Sequence, residues 1–156
     1  MCGSTMENIT EKIIIEFAKT IEMFGLTPAE ARLFVHLYLQ EDPQTLDEMA
    51  EALGKSKTSM STSIRSLSES NLVNRVWQKG VRKDLYEANT QLYKTFMHYY
   101  VNKWLEASSL QKDALEDIQK ELQIFQTDTS TLADHLNEII DFHKQIESSF
   151  RHLNND

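Results

Sequence analysis

Two four-residue stretches constrain the fold of this chain more tightly than anything else in it. Thr27-Pro-Ala-Glu30 and Thr45-Leu-Asp-Glu48 each set a Thr three residues ahead of a Glu, next to apolar residues. At that spacing the Thr hydroxyl accepts from the backbone N–H of the third helical residue, and the Glu carboxylate accepts from the Thr N–H. Each stretch is therefore a helix start, and Pro28 sits where a missing N–H costs nothing. A helix over residues 8–24 comes before them, with Ile14, Phe17, Ile21 and Phe24 on one stripe and Gly25 at its end. The helix after Thr27 runs to about Leu39. It is apolar on more than one face (Ala31, Leu33, Phe34, Val35, Leu37, Tyr38), which places it centrally. The helix after Thr45 is short, buries Leu46, Met49, Ala50 and Leu53, and closes at Gly54, with Ser56 positioned to cap the next.

Two helices joined by a tight Gly-containing turn make a helix-turn-helix. The second of them lies in Gly54-Lys-Ser-Lys-Thr-Ser-Met-Ser-Thr-Ser-Ile-Arg-Ser-Leu-Ser-Glu-Ser70, which holds seven serines and two threonines. Met60, Ile64 and Leu67 recur at helical spacing and face the core. Thr58, Thr62 and Arg65 then lie on the opposite side, flanked by Lys57, Ser59, Ser61 and Ser66. Beyond it the periodicity changes. Leu72–Trp77 and Asp84–Ala88 are short and rich in β-formers, and Gln78-Lys-Gly-Val-Arg-Lys83 between them has a Gly at its turn, so a β-hairpin with a basic tip follows. Helix, helix-turn-helix and hairpin in that order define a winged helix. The fold class is mainly α with one small β-hairpin, followed by a C-terminal helical dimerisation region.

The net charge is −8, yet residues 54–83 carry seven cations against Glu69 alone. That segment is +6 and the remainder is −14. A basic patch on an acidic body is the footprint of a phosphate-binding surface. A recognition helix enters the major groove, where short hydroxyl side chains permit close approach and bond phosphates and base edges. Arg65 carries the guanidinium fork that can read a guanine. The candidate DNA-binding residues are Lys57, Thr58, Ser59, Ser61, Thr62, Arg65, and Lys79, Arg82 and Lys83 of the wing. A serine-rich solvated helix in a winged-helix adaptor that binds protein is the alternative. The basic wing favours double-stranded operator DNA.

After Thr90 the chain is helical, with Tyr93, Phe96, Met97, Tyr100 and Trp104 on one stripe. From Leu115 to Leu153 twelve positions alternate steps of three and four, and ten of them are apolar, a heptad seam. Thr127–Thr131 is poor helix interior, so the seam can fold back as a hairpin instead of running on as one rod. Either arrangement exposes apolar surface for a second copy of the chain, and a homodimer matches the two-fold symmetry of operators, against the alternative that the seam serves within one chain. The expected organisation is a DNA-binding domain over 8–90 and a linker, effector and dimerisation region over 91–156.

The remaining composition excludes several classes. No apolar run is long enough for a membrane span and no signal segment opens the chain, so a cytoplasmic address is expected. The single Cys2 forms no internal disulfide and no multi-cysteine metal site. His36, His98, His135, His143 and His152 are scattered, and no Gly-rich phosphate loop or nucleophile elbow occurs. No catalysis, metal or cofactor is expected.

Residues 45–67, Thr-Leu-Asp-Glu through Arg-Ser-Leu, together with Val76–Ala88 of the wing and Asn102-Lys-Trp104, resemble the glycine betaine synthesis repressor (GbsR) family. This family is a branch of the MarR-like winged-helix regulators. The resemblance spans about residues 8–106 and departs at Ser63, where Gly is common; both residues are small. It implies a dimeric repressor of genes for uptake or synthesis of the osmoprotectant glycine betaine, with choline as inducer for some members and not for others. Quaternary ammonium cations are held by cages of aromatic faces. Tyr38, Trp77, Phe96, Tyr100 and Trp104 are the candidate ligand-binding residues, against the alternative that aromatics at helical spacing are core.

Overall fold

The computed structural model describes residues 2–125 and 130–154. Among them the order is α1 (Cys2–Glu22), α2 (Pro28–Tyr38), α3 (Leu46–Leu53), α4 (Lys57–Glu69), β1 (Val73–Val76), β2 (Leu85–Ala88), α5 (Leu92–Ile124) and α6 (Ser130–Asn154). The chain divides into two units, one through Phe96 and one from Met97. The division lies within α5 and beyond the expected boundary at 90.

In the first unit both capping boxes close. The Glu30 N–H donates to Thr27 Oγ1 at 3.2 Å and the Thr27 N–H to Glu30 Oε1 at 2.9 Å. The Thr45–Glu48 pair repeats this at 3.2 Å in both directions. Gly54, at φ 63, takes the left-handed conformation that ends α3 and turns the chain into α4. Asn71 does the same after α4 at φ 59, with the Leu72 N–H returning to the Leu67 carbonyl at 3.0 Å. The central position expected of α2 is confirmed: Ala31, Leu33, Phe34 and Val35 are fully buried.

Around α2 lie Ile21 of α1, Met49 of α3, Met60, Ile64 and Leu67 of α4, and Leu72 and Val73 leading into the hairpin. Phe96 completes this core. Its ring meets Phe34 edge-on at 4.9 Å and Phe24 at 5.2 Å, so the start of α5 belongs to the first unit. β1 and β2 pair antiparallel in the register Val73↔Ala88 to Val76↔Leu85.

One element escaped the sequence pattern. Gln44 pairs with Tyr86 as a one-residue third strand, with N–H to carbonyl distances of 2.9 and 2.8 Å. Its side-chain Oε1 accepts from the Nε2–H of the buried His36 at 2.8 Å, tying the loop before α3 to α2.

In the second unit α5 and α6 run antiparallel. Trp104 stacks on Phe150 at 5.9 Å with an interplanar angle of 3°. Ser108 Oγ lies 3.2 Å from His143 Nδ1, Lys112 Nζ donates to Glu147 Oε2 at 2.9 Å, and Asn154 donates to Asn102 at 2.9 Å. The Lys112 ammonium is held above the usual lysine range, first by its hydrogen bond to Glu147, against a smaller opposing effect of burial.

The fold-back reading of the seam is therefore the observed one. Residues 126–129, on which the expected break falls, lie outside the described residues. Leu136, Ile140 and Glu147 form the buried face of α6, while the seam residues Ile118, Leu132, Ile139 and Leu153 are exposed. The apolar positions thus supply two faces, one buried and one exposed among the described residues.

Candidate nucleic-acid interface

The stripe of α4 sorts its side chains sharply. Met60, Ile64 and Leu67 are buried, and so is Ser63, whose small side chain fits the inner face. Lys57, Thr58, Thr62 and Arg65 are exposed, while Ser59 and Ser61 are half-buried at the margins. Ser56 caps the helix by accepting from the Ser59 N–H at 3.1 Å.

The hydroxyls do not all look outward. Thr62 Oγ1 donates to the Thr58 carbonyl at 3.2 Å, in the i to i−4 manner of a helical Thr. Ser66 donates to Glu30 Oε2, so the flanking position expected of it serves to tie α4 to α2. The Ser68 hydroxyl is buried with no hydrogen-bond partner among the described residues. Of the nine hydroxyls of residues 54–70, the exposed readers narrow to Thr58 and Thr62, with Ser59 and Ser61 beside them.

The cations divide in the same way. Asp47, in the first turn of α3, lies between two candidate DNA-binding lysines: Lys83 Nζ at 2.7 Å and Lys57 Nζ at 3.4 Å. Hydrogen bonds from Lys83 and then Lys57 hold the Asp47 carboxyl below its ordinary range, and the same contact holds the Lys83 ammonium above its own. One carboxylate thus links α3, the start of α4 and the wing. Arg75 is paired with Asp84 at 2.6 Å. Arg65, Lys79 and Arg82 are exposed and make no ion pair among the described residues.

Asp47 was missed at the sequence level. It sits inside a capping box, and only the return of the wing after more than thirty residues brings Lys83 to it. No local spacing signals that meeting.

The five candidate cage aromatics have separate surroundings. In the first unit Phe96 is buried against Phe24 and Phe34, and no ring face remains for a ligand. Tyr38 stacks on Phe34 at 6.3 Å and meets Phe17 edge-on at 6.2 Å. Trp77 lies just beyond β1 and is 80% exposed, in a concave surface shared with Arg75, Arg82, Lys83 and Asp84. The cations outnumber the carboxylate there, which disfavours a quaternary ammonium ion. In the second unit Tyr100 and Trp104 are 6.2 Å apart, and both meet Phe150. Phe96 is thus taken up by the first core, and Trp77 stands in a surface of net positive charge.

No helix among the described residues is long and apolar enough to cross a membrane. No group of three or more His, Cys, Asp or Glu among them could hold a metal ion.

A three-helix core, a second helix presenting exposed hydroxyls and an arginine, and a basic hairpin define a winged-helix transcriptional regulator. A solved structure described as a transcriptional regulator has the same fold, with a TM-score of 0.68, 18% identity, and coverage of 94% of this chain and 95% of that one. Residues 21–96 match the family described as sugar-specific transcriptional regulator TrmB. The chain is 31% identical over 146 residues to the HTH-type transcriptional repressor GbsR of Bacillus subtilis, covering 94% of this chain and 81% of that protein. It belongs to the GbsR family. It is also 33% identical over 117 residues to the HTH-type transcriptional repressor OpcR of the same organism, a match that covers 75% of this chain but only 63% of OpcR. These relatives are named as regulators of transcription, not as enzymes.

Proposed function

We propose that this protein is a homodimeric, DNA-binding transcriptional repressor that controls genes for uptake or synthesis of an osmoprotectant of the glycine betaine type. The observation that carries the reading is the surface of α4 and the wing. Thr58, Thr62 and Arg65 of α4 and Lys79 and Arg82 of the wing are all exposed, within a segment of charge +6 on a chain of net charge −8. The names of the repressors GbsR and OpcR support the same reading. Dimerisation is supported by apolar side chains left exposed on α1 (Ile9, Ile13) and α6 (Leu132, Ile139, Phe142).

The effector is a quaternary ammonium compound such as choline. The family resemblance implies it, and Tyr100, Trp104 and Phe150 of the second unit offer the aromatic faces that cation–π binding needs. The ligand lowers operator affinity by favouring a dimer geometry in which the two α4 helices no longer match successive major grooves.

Gel-shift titration against DNA upstream of betaine uptake and synthesis genes tests the DNA reading. Binding should weaken steeply as salt rises. Absence of binding at low salt would leave the protein-binding adaptor. Calorimetric titration with choline separates an inducible repressor from a family member that does not respond.

A further inference from the structure

Trp77 stands outside the core of the first unit. The register of β1 and β2 is complete at Val76, the ring meets no other aromatic among the described residues, and the side chain is 80% exposed. An indole is the largest apolar side chain available, and such rings are enriched where a surface is to be covered. Its neighbours identify what covers it. Val81, also exposed, the cations Arg75, Arg82 and Lys83 and the carboxylate of Asp84 share its concave surface, and Lys79 follows two residues on. Arg75 and Lys83 are paired with Asp84 and Asp47, while Lys79 and Arg82 make no ion pair among the described residues. An apolar ring between free cations fits a partner with apolar walls between anionic rails. The minor groove of duplex DNA is built in that way, with deoxyribose walls, phosphate edges and a width of about 6 Å that admits a ring edge-on.

We propose that Trp77 is a DNA-contacting residue of the wing. Its indole lies in the minor groove next to the major-groove site of α4, and its Nε1–H donates to an acceptor on a base edge. The assignment rests on the reading of α4 and the wing as a duplex-binding surface. It also carries a preference. The minor-groove edge of a G·C pair holds the guanine amino group where A·T pairs show acceptors alone, so the wing favours A·T pairs at its position.

The chain has two tryptophans, so the difference in emission between the wild-type protein and W77F reports Trp77 alone. Addition of a bound duplex should quench and shift that Trp77 emission. W77A should bind about tenfold more weakly with the salt dependence unchanged, because the lost side chain carries no charge, and W77F should recover part of the loss. Replacing A·T pairs by inosine·cytosine at the wing position should preserve affinity, since inosine lacks the amino group; replacing them by G·C should not. Unchanged emission together with wild-type affinity of W77A would overturn the assignment, and so would quenching of Trp77 by choline without DNA. Failure of the wild-type protein to bind any duplex would instead overturn the DNA reading on which the assignment rests.

Discussion

Replacing Arg65 by alanine separates a base-reading residue from a merely attractive charge. Arg65 is exposed on α4 and makes no ion pair among the described residues, so its loss breaks no ion pair there. Folding stability should change by no more than about 0.5 kcal/mol, which a thermal melt will check. A bidentate contact from guanidinium to guanine contributes about 1–3 kcal/mol of discrimination against the wrong base. That range corresponds to about 5- to 140-fold in affinity for each recognition helix. With two copies on a palindromic site, the lower bound becomes roughly 25-fold.

The assay begins with duplexes selected by the wild-type protein from a random pool. Fluorescence anisotropy then gives Kd for wild type and R65A on a selected duplex and on its shuffled counterpart, at one salt concentration. The selected duplex should lose most of its advantage, while the shuffled one weakens only by the loss of one charge. Equal losses on both duplexes would show that Arg65 touches phosphate alone, and the proposed docking of α4 would be wrong.

Asp47→Asn releases Lys57 and Lys83 from a shared carboxylate, so affinity for nonspecific DNA should rise. The salt slope should steepen by up to about 0.9 for each lysine freed, read by anisotropy over a salt series. The pH range of this contact follows from its shifts. The depressed Asp47 carboxyl stabilises the fold above the ordinary carboxylate pKa and ceases to as pH falls through its lowered value. The raised Lys83 ammonium stabilises it below the ordinary lysine pKa and ceases to as pH rises through its higher one. The contact therefore spans about pH 4 to 10, and the difference in salt slope between D47N and wild type should be constant across pH 6 to 9. Phe34→Ala should destabilise the first unit by about 3–5 kcal/mol in a denaturant titration, because the ring is fully buried between Tyr38 and Phe96. A loss below about 1 kcal/mol would mean that Phe34 is not central to this core.

Much of the first unit is legible because its signals are local. A capping box spans four residues, a left-handed Gly announces itself, and the stripe of Met60, Ile64 and Leu67 needs only the helical period. What was missed depends on long-range meetings. The one-residue strand at Gln44 follows Pro43 and is too short for any alternating pattern, and Asp47 acquires its lysines only when the wing returns. The aromatics are ambiguous for a related reason. Phe96 and Tyr100 are one turn apart on the same stripe, yet Phe96 fills the first core while Tyr100 meets Phe150 in the second unit. Helical spacing reports which residues share a face, and it does not report which unit that face serves. The seam of α6 was ambiguous in the same way. His143 and Phe150 turn toward α5, whereas Leu132, Ile139 and Leu153 of the same heptad pattern remain exposed.

The charge distribution bears on how selectively the proposed surface meets DNA. Outside residues 54–83 the chain carries −14, so a duplex approaching most other parts of the sequence meets like charge. At about 0.1 M salt the screening length is about 10 Å, which lets the +6 segment act at groove distance while distant carboxylates are damped. Asp47 then works within the attractive surface itself. By holding Lys57 and Lys83 it reduces the indiscriminate pull on phosphate, leaving Arg65, Thr58 and Thr62 to contribute a larger share of the binding free energy. Specific binding is a difference between two affinities, and lowering the nonspecific one sharpens it as effectively as adding a base contact. On this reasoning D47N should bind DNA more tightly and discriminate less. A D47N protein with both affinity and selectivity increased would show that Asp47 only positions the wing.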